Sequence, residues 1–336
     1  MDSRPALAPG PRGWLLLGNL PALRNDVLGL LTQSARDHGD IVRFQIGPLT
    51  VHLLNHPELI DRVLVGGRDQ YDKQSRSTAA LRRICGESLL TADGEAWRWR
   101  RRAIQPAFHR TALDGFAHAM RESTRELVAA WESAAKGGRT VDAAADLMRL
   151  TYRIVSRCLF GADADQEADQ VGAAMQVLVT HAFDRWKSLL PIPDGWPTPA
   201  QLRFRRALAE VDTIVAGLVA RRLARGEPGS DLLGLLLSAS DPETATRLTP
   251  EQVRNEAITF LLAGHETTAI ALAWTLHLLS RNPETADLLA AEPPGSTAIC
   301  DRILSESLRL YPPIWAIERR AITDDTLRGF HIPRNS

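Results

Sequence analysis

Apolar and polar residues alternate along IVRFQIG (41–47) and LTVHLLN (49–55), with Gly47 and Pro48 at the break between them. A period of two around a two-residue break predicts an antiparallel β-hairpin over residues 41–54. Asn55 and Pro57 then supply a cap and an early proline, so HPELIDRVLV is expected to start a short helix. From about residue 95 onward the spacing of apolar positions becomes helical. It predicts helices over 95–110, 250–280 and 298–311, with loops such as PIPDGWPTP (191–199) and RGEPGSD (225–231) elsewhere. The long helix carries its own start signal. Thr249 is the N-cap, Pro250 suits the first helical position, and Gln252 completes a Thr-x-x-Gln capping box. Running to about Ser280, before Pro283, it would span roughly 46 Å. No repeat or clear linker divides the chain. The expectation is one mainly α domain, residues 1–336, with a small β part near its N-terminus.

Composition sharpens this picture in two respects. The chain has 40 basic and 40 acidic side chains, so no net field points to nucleic acid or to an anionic membrane surface. Only three of the basic residues are lysines (Lys73, Lys136, Lys187), which reads as coding bias. Cys85, Cys158 and Cys300 are far apart and lack metal-ligand spacing, which fits a reducing compartment and a cytoplasmic location. The N-terminal MDSRPALAPGPRGWLLLGNLPAL holds only a very short apolar patch and no signal-peptide pattern, so no membrane anchor is expected there.

Ionisable groups interrupt the apolar run LLAGHETTAIAL (261–272). A His-Glu-x-x-His zinc helix is excluded, because position 269 is alanine. A membrane span would place Glu266 near mid-bilayer at a cost of about 2.5 kcal/mol or more, with no second span to pair it. A buried helix with a polar notch remains. Ala263 and Thr267 share a face one turn apart, and Gly264 leaves room for close approach to the backbone. Two readings stay open. Glu266 and Thr267 relay protons into a pocket, or Thr267 and Thr268 bond their own backbone while Glu266 finds an arginine.

Two further motifs bear on the choice. SESLRLYPP places Glu306 and Arg309 at i, i+3 on a helix that Pro312 and Pro313 end. GEAWRWRRRAIQPAF places Trp97 and Arg101 one turn apart, where an indole N–H and a guanidinium can grip one anionic group. Taken singly, the first also fits a surface ion pair and the second a solvated basic face or a nucleic-acid patch.

In their order, the W-x-x-x-R, AGHETT and E-x-x-R…LYPP motifs resemble the cytochrome P450 family of haem-thiolate monooxygenases over nearly the whole chain. The resemblance implies the family's mainly α fold and haem b as cofactor. It implies a small apolar substrate and an electron donor such as ferredoxin or flavodoxin with its reductase. Ala263 and Gly264 would lie against haem and dioxygen, with Glu266 and Thr267 delivering protons. Trp97, Arg101 and Arg319 would hold haem propionate. Ile314, Trp315 and Ala316 would border the substrate pocket, and Glu306 and Arg309 would be structural. Arg98 and Arg102, on another face of the Trp97 helix, would meet an acidic electron donor or simply be solvated.

The chain departs from the family in one respect. The family's iron ligand is a cysteine in an F-x-x-G-x-x-x-C-x-G loop well downstream of E-x-x-R, and Ser336 lies 27 residues after Arg309. Cys85, Cys158 and Cys300 are read as small buried hydrophobes, so the ligand is expected beyond Ser336 and the fold is expected to be C-terminally incomplete. Two functions follow: a fragment of a haem monooxygenase, or a non-catalytic truncated remnant that binds hydrophobic ligands or nothing.

Overall fold

The computed structural model describes residues 6–161, 168–187, 193, 195–226, 229 and 231–336. The predicted loops at 191–199 and 225–231 therefore lie partly outside the described residues. By internal contacts the chain divides into two compact units. One comprises Met1–Ala79, Trp186–Leu189 and Glu318–Ser336, and the other Ala80–Arg185 and Leu190–Ile317.

The first unit carries the strands. After β1 (Ala6–Leu7) come helices α1 (Leu20–Asn25) and α2 (Val27–His38), then the hairpin β2 (Ile41–Ile46) and β3 (Leu49–Leu54). The hairpin is antiparallel with Ile46 opposite Leu49, on either side of Gly47 and Pro48. Alternation is imperfect in β2, where Ile41 and Val42 are both buried. The free edge of β2 is covered, because Arg43 N donates to Pro9 O (2.7 Å) and Asn19 N to Gln45 O (2.6 Å). Helix α3 (Pro57–Asp61) follows and continues as a π-helical turn over Arg62–Gly66. Its N-cap is His56 rather than Asn55: His56 Nδ1 accepts from Glu58 N at 3.2 Å. Strand β4 (Tyr71–Asp72) pairs antiparallel with β5 (Arg320–Ala321). Strand β7 (Phe330–Ile332) lies between β1, which is parallel to it, and β6 (Asp325–Leu327), which is antiparallel. Ala8, Ile41, Leu59, Val63, Tyr71, Ala321, Leu327 and Ile332 form this unit's core.

His52 stands opposite Arg43 in the hairpin. Burial, with added repulsion from Arg43 and His331, pushes its imidazole down to about 4. In the unfolded chain the ring titrates near 6.5. Between those values the unfolded state binds more protons than the folded one, so stability falls as pH drops through this window. Urea midpoints measured from pH 7 to pH 4 are expected to show that decline, and His52→Gln is expected to flatten its share of the slope.

The second unit is helical: α4 (Arg76–Cys85, which begins in the first unit), α5 (Gly94–Ile104), α6 (Arg110–Lys136), α7 (Ala143–Phe160), α8 (Ala168–Lys187), α9 (Pro199–Arg225), α10 (Leu232–Ser238), α11 (Pro250–Arg281), α12 (Pro283–Ala290) and α13 (Ala298–Leu310). The helix expected over 95–110 stops at Ile104, and Gln105–Phe108 form a 3-10 turn instead. Gln105 keeps α geometry and still donates to Arg101 O, but Pro106 has no N–H to continue the ladder. Helix α11 packs on α7, α9, α10 and α13. It is long and apolar enough to cross a membrane, yet Val253, Ala257, Ile258 and Leu261 are fully buried in the unit's core.

Candidate functional site

The chemistry-bearing stretch sits in the middle of α11, whose start matches its sequence signal. Thr249 Oγ1 accepts from Gln252 N (3.2 Å) and Gln252 Oε1 accepts from Thr249 N (2.9 Å), closing the capping box. One turn of this helix points two ways. Toward α7, His265 is buried; its Nδ1 lies 2.9 Å from Leu261 O and its ring meets Tyr152 edge-on at 5.6 Å. Thr151 Oγ1 of α7 donates to His265 O at 2.9 Å. Gly264 belongs to this contact, since a Cβ there would come within 2.9 Å of Val155 Cγ2. The close approach that the glycine allows is therefore made by helix α7.

On the other side Ala263 and Thr268 are exposed, while Glu266 and Thr267 are half-buried. Thr267 Oγ1 donates to Ala263 O (2.7 Å) and Thr268 Oγ1 to Gly264 O (3.0 Å). Both hydroxyls thus satisfy themselves on the helix backbone. Glu266 has no ion pair with an arginine among the described residues.

Helix α5 carries three consecutive arginines with three different environments. Arg100 is buried, 3.7 Å through Nε from the Glu256 carboxylate of α11, and its Nη1 donates to Glu87 (3.2 Å). Both Glu256 oxygens accept from Leu89 N, at 2.9 and 3.0 Å. Arg102 binds Asp241 with both arms, Nε to Oδ1 at 2.8 Å and Nη2 to Oδ2 at 2.7 Å. That bond, the largest cause, holds the Asp241 carboxyl well below the usual range. Arg102 is thereby spent inside the molecule and does not await an acidic partner, and Arg98 pairs with Glu95. Arg101 between them is exposed and has no ion pair among the described residues, one turn from half-buried Trp97.

Helix α13 is fixed at both ends. Glu292 accepts from Ile299 N (2.7 Å), Cys300 N (3.2 Å) and Ser296 Oγ (2.8 Å) at its start. Farther along, Thr275 Oγ1 of α11 donates to Ser307 Oγ (2.8 Å), and Trp274 stacks on Tyr311 at 4.0 Å. Glu306 and Arg309 form a two-armed pair, 2.7 and 2.6 Å, on an exposed face. The bond from Arg309 lowers the Glu306 carboxyl below its ordinary value. Ile314, Trp315 and Ala316 are exposed in the segment that follows. Arg319 belongs to the first unit, where its Nη1 donates to Glu318 O at 2.8 Å.

Of the cysteines, Cys85 and Cys158 are buried as expected, but Cys300 is partly exposed. Burial pushes the Cys85 thiol up and that of Cys158 to about 11. Among the described residues no group of three or more His, Cys, Asp or Glu side chains is placed to hold a metal ion. The Glu256–Arg100 and Asp241–Arg102 pairs escaped sequence reasoning. For Glu256 a signal existed: it occupies a core position in the apolar stripe Val253, Ala257, Phe260.

A family model described as Cytochrome P450 matches residues 8–336. Cyclooctat-9-en-7-ol 5-monooxygenase of Streptomyces melanosporofaciens is 34% identical, over 97% of this chain and 74% of its own length. Pentalenene oxygenase of Streptomyces avermitilis is 33% identical over 90% of this chain and 69% of its own length. Cyclooctatin synthase of Streptomyces melanosporofaciens is 31% identical over 98% and 73%.

Proposed function

Because the chain belongs to the cytochrome P450 family, we propose that it acts in a haem monooxygenase that inserts one oxygen atom from dioxygen into a small apolar substrate. The observation that carries this reading is Arg101. Its neighbours Arg100 and Arg102 are committed to internal carboxylates, and Arg101 of the three is exposed and has no ion pair among the described residues, one turn from the Trp97 indole. That arrangement fits an external anionic group such as a haem propionate. In this reading Ala263, on the exposed side of its turn, flanks the cofactor. When bound, haem supplies the activation of dioxygen.

The iron is a different matter. Cys85 and Cys158 are buried with raised thiol pKa values, the reverse of what a thiolate ligand needs. Cys300 lies on α13 with its backbone N–H held by Glu292. We propose that none of the three is the ligand, which instead belongs to a cysteine loop downstream of Ser336. Thr267 and Glu266 then hold and pass protons at Thr267 Oγ1. Ile314, Trp315 and Ala316 border the substrate. The relatives' names, pentalenene and cyclooctat-9-en-7-ol, point to a cyclic alkene as substrate class. Ferredoxin or flavodoxin with its reductase would supply electrons from the cytoplasm, docking elsewhere than on Arg102.

The burial of these cysteines also favours a second reading, a non-catalytic remnant that takes up apolar ligands without an iron–thiolate bond. Haem titration of the chain separates the two. Arg101→Ala is expected to weaken haem binding about 10–100-fold, the worth of one charge-assisted hydrogen bond, while Arg98→Ala leaves it unchanged. The carbon-monoxide spectrum of the reduced chain is expected to lack a thiolate band and to gain it when the downstream cysteine loop is present. Absence of haem binding in both forms would leave only the remnant.

A further inference from the structure

Helix α5 is only 11 residues long, yet two of its arginines are seated on carboxylates that water does not reach. Glu256 and Asp241 are each 0% exposed. Both carboxylates are also oriented by groups other than the arginines. Leu89 N holds the Glu256 oxygens, while Asp241 Oδ1 accepts from Glu243 N (3.2 Å) and Oδ2 from Thr244 Oγ1 (3.0 Å). The backbone closes a tight loop around Asp241: its N donates to Thr246 O and its O accepts from Ala245 N, each at 2.8 Å. Ala245 holds a φ of +55° to do so, a conformation that alanine rarely adopts. A buried ion pair is a poor source of stability, since desolvating two charges offsets most of their attraction, and its better-attested use is to fix register. Two such pairs within one turn of a short helix point to control of that helix's rotation.

We infer that Glu256 and Asp241 are positioning residues for Arg101. Arg100 and Arg102 flank it on either side, and their carboxylates belong to different segments, Glu256 to α11 and Asp241 to the loop before it. A roll of α5 that brought one arginine nearer its carboxylate would draw the other away, so the helix cannot turn about its axis without breaking a pair. Trp99, packed against the core, adds a further stop, with Arg100 Cζ 5.0 Å from its ring centre. The exposed Arg101 is left facing away from both anchors, on the side of Trp97. With Arg101 as the proposed clamp for an external anionic group, on which this assignment rests, direction matters. A charge-assisted hydrogen bond weakens steeply when its donor is misaimed, and an arginine on a freely rolling helix has no fixed aim.

Haem titration of the full chain, with urea unfolding alongside, tests the assignment. Glu256→Gln and Asp241→Asn are each expected to weaken haem binding about tenfold, and to have no further effect once Arg101 is alanine, the non-additivity of residues that act through one another. Val211→Ala, at a fully buried position of α9, is expected to lower the urea midpoint and leave haem affinity unchanged, which separates positioning from general loosening. Phenylglyoxal labelling read by peptide mass gives a second view without haem. Arg101 is expected to react first of the three arginines in the parent chain, and Arg102 to react as fast in Asp241→Asn. Parent haem affinity in both acid variants, or equal losses with and without Arg101, overturns the assignment and leaves the clamp standing. If Arg101→Ala itself leaves haem binding unchanged, or the parent binds no haem, the clamp falls and the assignment with it.

Discussion

Glu256→Ala is expected to lower the unfolding free energy by about 3–5 kcal/mol, the cost of breaking a buried ion pair from one side. Glu256 is fully buried, and its carboxylate is what the Leu89 N–H and the Arg100 guanidinium share. Removing it strands both. The remaining carboxylate near Arg100 is Glu87, which is itself largely in water, so the buried cation keeps only a screened partner. Glu256→Gln retains an acceptor for Leu89 N and should cost less. The double variant Glu256→Met/Arg100→Met should recover the part of the loss that comes from the stranded cation, because an apolar pair of similar volume owes no desolvation, while the Leu89 N–H still lacks its acceptor. Urea unfolding with an unchanged m-value is the measurement, since a midpoint shift at constant m reports stability alone. A single-variant cost near zero would mean that the pair is solvated in solution.

Gly264→Val should be the other severe substitution, at about 3 kcal/mol, the upper end of the cost of overpacking a core contact. Even the first added carbon meets Val155 Cγ2 at 2.9 Å, and α7 is held there by the Thr151–His265 hydrogen bond, so it has little freedom to retreat. Gly264→Ala is milder, because better helix propensity returns about 1 kcal/mol. Val155→Ala removes the atom that Cβ strikes and should rescue the alanine variant. If instead both Gly264 variants unfold like the parent, the α7–α11 contact is looser than the geometry indicates.

What the sequence announced and what it withheld divide by range. The capping box of α11 joins residues three apart, so Thr249 and Gln252 are legible as letters and stand as hydrogen bonds. The hairpin is likewise a local pattern, and its register follows from two residues at the break. Where a neighbour distant in sequence intervenes, the pattern misleads. Ile41 and Val42 are both buried, Ile41 in a core that includes residues as distant as Leu327 and Ile332, which no alternation along the strand can announce. Arg102 and Asp241 are 139 residues apart, so a guanidinium that reads as a surface charge is an internal brace. The family motifs point to Trp97, Arg101, Glu266 and Thr267, but only coordinates tell that Gly264 faces a helix.

The run Arg100–Arg102 bears on how replaceable a residue is. Successive positions turn about 100° around a helix, so one side chain, repeated, occupies a buried seat, an open seat and a bracing seat. In a chain where only three basic residues are lysines, arginine at any one of these positions tells nothing about need, because it is also the default. Need is set by geometry. At 102 two parallel N–H arms engage both oxygens of Asp241, and an ammonium has no such fork. At 101 a point charge at the same reach serves nearly as well. Lysine should therefore be tolerated at 101 and rejected at 102, so that exchange patterns among natural variants would separate inherited habit from requirement within a single turn of helix.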